Sequence, residues 1–181
     1  MRPRQADCIR LAAIVVLLAS TLLAIPADGQ GTESAVGQIN ALREDDELGQ
    51  VSSSAALDAV AASYLDEIIA SHCICPLAGG TAQAEQLLDD IAAALGIDAT
   101  LIDAGLVVGY DQSEAGAFTT AIHDPANAAA ILGMRMELAG TASRIVEPAE
   151  SWLAPPPGGT GPEIDLTGYS VVVIVLAGTT P

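Results

Sequence analysis

Apolar residues recur with a helical period over several stretches and with strand-like density over others. The clearest helix follows Ser53 or Ser54 and runs to about His72. Leu57, Val60, Ala61, Tyr64, Leu65 and Ile68 are spaced by threes and fours, so they line one face. Ser53 or Ser54 stands where a cap is needed. His72 follows Ile68 by four residues, which extends this inward face by one turn. An earlier helix begins near Thr32, with Thr32 or Ser34 as cap and Val36, Ile39 and Leu42 on its face. The polar run 44–47 closes it. A third covers residues 81–95, with Ala84, Leu87, Leu88, Ile91 and Leu95 as its stripe and Gly96 at its stop.

Residues 100–110 read as extended, with Leu106, Val107 and Val108 as a short buried strand. Asp111 and Glu114 have capping-box spacing for a helix through Phe118 and Ile122. Pro125 suits the first position of another helical turn, which ends at Gly133. Met134, Met136 and Leu138 alternate with Arg135 and Glu137, the period of a strand over residues 134–146. Residues 147–168, which include Pro155–Pro156–Pro157 followed by Gly158–Gly159, read as a loop. The run YSVVVIVLA at 169–177 is β-prone and almost continuously apolar, as a central buried strand would be. Helices first, then strands mixed with helices, indicate an α+β fold with an antiparallel sheet covered by helices.

The N-terminus is organised differently. Arg2, Arg4 and Arg10 precede an uncharged run over residues 11–25, followed by Pro26, Ala27, Asp28 and Gly29. This is the layout of a secretory signal peptide over residues 1–29. The run is shorter than the ~20 residues that cross a bilayer comfortably. A retained N-terminal anchor is the alternative. The domain proper occupies residues 34–178.

Composition narrows the function. The 181 residues carry 23 acidic and 6 basic groups, a net charge of −17. Every base is an arginine. Phosphate binding needs a basic stripe, so the charge argues against a nucleic-acid partner. It argues likewise against docking on anionic lipid through a basic patch. With 51% apolar residues but 3% aromatics, the core must be aliphatic.

Several motifs in order resemble the CAP superfamily of cysteine-rich secretory, antigen 5 and pathogenesis-related proteins, with its bacterial extracellular members. Residues 39–43 (INALR) resemble the family's opening helix motif, and residues 57–72 its second helix, which ends in a histidine. Gly109 and Tyr110 before a capped helix, then residues 124–127 (DPAN) with Ile131 and Leu132, resemble its middle segment. Residues 138–140 and the last strand resemble its closing sheet. The likeness covers roughly residues 34–145 and 169–177. It implies an α-β-α sandwich around a central antiparallel sheet. Well-kept members hold two histidines and two acidic residues around a cleft, sometimes with a divalent metal. His72 falls on one of these positions. The family's Gly-Glu-Asn triplet aligns with residues 103–105, where Ala104 replaces the glutamate. The second histidine falls at Asn127, and the tryptophan and acid between them are missing around residues 120–123.

His72 is thus a candidate cleft ligand for zinc or another divalent cation, or a helix-end histidine bonded to a carbonyl. His123, four residues before Asn127, could share its helical face and replace the lost histidine, or stand exposed. Cys73 and Cys75 beside His72 offer soft ligands. In an exported protein a disulfide is preferred, ahead of free thiols and of metal. The acidic runs 44–47 and 89–90 lack EF-hand spacing and read as solvated. Trp152 is either a recognition element or the anchor of its loop. No catalytic residue is assigned. The first functional reading is a secreted, non-catalytic CAP-like module that binds a small apolar ligand, a lipid or a protein partner. The alternatives are a metal-dependent hydrolase using His72 and a membrane-tethered envelope module.

Overall fold

The computed structural model describes residues 30–74, 81–133, 135–156 and 161–180. The signal-like segment lies outside the described residues. In chain order the elements are α1 (Gln30–Asp45), β1 (Ser52–Ser53), α2 (Ala55–Ser71), α3 (Thr81–Leu95), β2 (Ile102–Asp111), α4 (Glu114–His123), α5 (Ala128–Ile131), β3 (Leu138–Ile145), β4 (Leu153–Ala154), β5 (Ile164–Asp165) and β6 (Ser170–Thr179). Short 3-10 turns at Ala99–Leu101 and Pro148–Glu150 complete them.

Strand β6 organises the fold. Its residues 170–178 are all buried, as its continuous apolar run requires of a strand covered on both faces. The sheet runs β1-β3-β6-β2. Strand β6 pairs antiparallel with β2, from Ile102 opposite Thr179 to Asp111 opposite Ser170. On its other side it pairs antiparallel with β3, from Leu138 opposite Ala177 to Ile145 opposite Ser170. The two residues of β1 pair parallel with β3.

Because side chains alternate along a strand, β6 feeds two cores. Val171, Val173 and Val175 pack with Leu57, Leu65, Ile68 and Ile91 of α2 and α3. Val172, Ile174 and Leu176 pack with Ile39, Phe118, Ile122 and Ile131 of α1, α4 and α5. This is an α-β-α sandwich, an α+β fold. On the first face α2 lies directly on β3. A Cβ at Gly140 would stand 2.1 Å from the backbone of Leu57, so only glycine admits the helix there. Asp58 of the same helix accepts the Thr141 N–H at 2.8 Å, beyond the end of β1.

Helix α1 is locked by two polar residues of the INALR motif. The Asn40 amide pairs with both backbone groups of Val51, at 3.0 and 2.8 Å. Arg43 has no solvent exposure. Its guanidinium donates to the carbonyls of Gly49, Ile131, Gly133 and Met136, at 2.7 to 3.1 Å. Burial pushes its pKa down from the ordinary value.

Several boundaries move relative to the sequence reading. Ser54 caps α2. Ser113, not Asp111, caps α4, accepting the Gly116 N–H at 3.0 Å. Pro125 lies in a turn before α5, which starts only at Ala128. Strand β3 begins at Leu138 because Met136 is turned back by a bond to the Gly133 carbonyl at 3.2 Å. The stretch 147–168 is more than a loop. It holds the β4–β5 hairpin, and Ala154 and Leu166 are both fully buried in the core. Sparse core residues between prolines and glycines carry no period, so this packing has no sequence signature.

Candidate functional site

Strand β2 is the edge of the sheet. An open cavity of about 570 Å³ lies along it. One wall is α3, through Ala84, Leu87 and Leu88; the floor is Ala104, Gly105 and Leu106 of β2. The other wall comes from Ala126, Asn127, Ala129 and Ala130 at α5, and Met136 closes one end. Gly105 sets the position of α5: a Cβ there would stand 2.8 Å from the Cβ of Ala130. Among the described residues, no lining side chain is ionisable.

Asn127 is the polar side chain of this wall. Its amide donates to the carbonyls of Ala121, at 2.9 Å, and Val108, at 3.4 Å. It therefore ties the end of α4 to the strand edge. Its Oδ1 carries no hydrogen bond among the described residues.

His72 is not on the inward face of α2. It ends the helix in the left-handed region, φ 54°, and its side chain is exposed. Histidine is among the residues that tolerate this conformation. Its N–H and that of Cys73 bond to the carbonyls of Ile69 and Ile68, at 3.3 Å each, which closes the helix end. The left-handed turn carries the imidazole away from the stripe, onto Trp152. Their ring centroids are 5.7 Å apart and nearly parallel, at 11°. Trp152 is half-buried and packs on the core, so it anchors its loop at the end of α2.

His123 and Asn127 do not share a helical face. Helix α4 ends at His123, and Asp124 is extended, which breaks the four-residue spacing. His123 is exposed. Cys73 is held in a disulfide; Cys75 lies outside the described residues. A disulfide sulfur is not a thiolate ligand. Among the described residues, no three His, Cys, Asp or Glu are grouped to hold a metal ion. Residues 44–47 are exposed, and Asp90 instead accepts the Tyr64 hydroxyl at 3.2 Å. Burial, then the Asp90 and Glu67 charges, raise the Tyr64 pKa well above its ordinary value. Tyr110 is raised by burial and then by Asp124. Its hydroxyl donates to the Pro155 carbonyl.

Of the candidate residues that are described, Asn127 alone lines the cavity. The cavity itself was not legible in the sequence: its walls are alanine and leucine, which read as ordinary stripe residues.

No family model and no curated protein matches the chain. Among solved structures, it resembles an outer surface protein from Borrelia burgdorferi, at 12% identity and a TM-score of 0.52. The match covers 83% of this chain and 94% of that one. At this identity the likeness speaks for the fold. Among the described residues no helix is long and apolar enough to cross a membrane.

Proposed function

We propose that the chain is a non-catalytic binding module of CAP type, exported to the cell surface or beyond, with the cavity along β2 as its binding site. One observation carries this reading. Ala104 and Asn127, where the CAP resemblance places an acid and a histidine, both line the cavity, yet among the described residues no ionisable side chain does. General acid–base catalysis needs a positioned titratable group, and this wall supplies none. It supplies a concave apolar surface with one amide, the usual composition of a binding pocket. The export-like N-terminus and the outer-surface name of the structural neighbour support the location.

The uncharged dye Nile red tests the site. Its fluorescence should rise on titration into the purified full chain. The rise should be lost in Ala84→Trp, which fills the cavity from an exposed position of α3. An unchanged rise in that variant, or none in the native chain, would refute the assignment.

A further inference from the structure

The floor of the cavity carries polar groups that no side-chain inventory reveals. Antiparallel pairs alternate between bonded and non-bonded registers. Thr180 donates to the Leu101 carbonyl at 2.8 Å, so the odd-numbered residues of β2 turn their backbone groups toward β6. The even-numbered residues turn theirs to the open edge. The Asn127 bond to the Val108 carbonyl agrees with this phase. At one end the Ile102 N–H is taken by the Ala99 carbonyl; at the other the Val108 carbonyl is taken by Asn127. Between them, the N–H and C=O of Ala104 and Leu106 have no hydrogen-bond partner among the described residues. These two residues form the cavity floor.

A sheet edge with unpaired donors and acceptors is a template for another strand. Here it lies between two helix walls of small and aliphatic side chains. A small apolar probe can fill the space between the walls but bonds none of these groups, so a ligand that does pair them binds better. An extended peptide bonds all four and places alternate side chains against Leu87 and Leu88. The charge of the walls selects among peptides. Helix α3 carries Glu85, Asp89 and Asp90 and no base, and Asp124 precedes α5. Arg135 is paired with Asp103 at 3.6 Å. A second copy of this chain would bring another net charge of −17 to the edge, which repels.

We propose that the cavity binds an extended segment of a partner protein, with small or β-branched residues flanked by basic ones, added as a strand to the free edge of β2 at Ala104 and Leu106. The proposal rests on the cavity being the binding site.

Amide hydrogen exchange followed by NMR on the full chain tests it. The probe is a pool of heptapeptides with lysine at both ends and Val, Thr or Ala in the centre. A second pool is N-methylated throughout its centre, so it cannot form a ladder. The first pool should slow exchange at Ala104 and Leu106 by about tenfold or more; the second should not, and neither should act on Ala84→Trp. If the first pool gives no protection while Nile red still fills the cavity, the strand proposal falls and the binding site stands. If neither binds, both fall. Equal protection by both pools would make the contact one of side chains and overturn the proposal. So would protection without peptide that rises with protein concentration and accompanies a doubled mass, since a second copy would then be the occupant.

Discussion

Arg43 shows what a single residue decides in this molecule. A fully buried cation is tolerated only when its donors are met. Here they meet four backbone carbonyls from two separate segments. Arg43→Met keeps the bulk but strands those carbonyls. It should lower stability by about 3 kcal/mol, at ~1–3 per buried acceptor left unmet with partial relaxation, as read by urea denaturation. Burial of the side chain was not legible: in the sequence Arg43 stands out only as the last residue of the INALR motif. Tyr64 supports a second expectation. Its phenol is raised in the folded state and titrates near its ordinary pKa of about 10 when unfolded. The unfolded chain therefore releases its proton first. Stability is intact below about pH 10 and falls above it, at about 1.4 kcal/mol per pH unit for this group. Tyr64→Phe should flatten that alkaline slope in denaturation curves collected across pH. An unchanged slope would assign it to Tyr110 or elsewhere.

Among the elements, those read best from the sequence were those with unbroken period. Helix α2 and strand β6 fall almost where their patterns place them, because each buries a whole face or both. Ends were read less well. His72 continues the stripe arithmetically, yet the left-handed turn at its own residue removes it from the helix. The four-residue step from His123 to Asn127 fails for the same reason: periodicity holds only while the helix does. The hairpin β4–β5 was missed because single buried residues, Ala154 and Leu166, hold it. Glycine is a quieter signal. Gly140 adds no side chain to the hydrophobic pattern, yet it is the contact where α2 meets the sheet. Gly140→Ala should cost about 3 kcal/mol through overpacking against backbone, visible as a lower midpoint in thermal or urea unfolding. A neutral result would mean that α2 shifts freely on the sheet.

For the whole molecule, the α+β class with a helix-covered antiparallel sheet was legible because the order of elements and the buried final strand left few ways to cover the sheet, while the three-layer sandwich was only what the CAP resemblance implied. The candidate site was not. It arises where an edge strand meets two alanine-rich helices, and its polar groups are backbone atoms, which every sequence contains. The residues that attracted attention by chemistry, His72, Cys73 and His123, lie elsewhere or serve a helix end. We therefore propose ligand entry at the β2 edge. The measurement that addresses it most directly is a map of backbone amide shifts in the full chain as Nile red is added. The largest changes are expected around residues 84–88, 104–106 and 126–130. Changes centred instead on His72, Cys73 and Trp152, with the β2 edge silent, would contradict it.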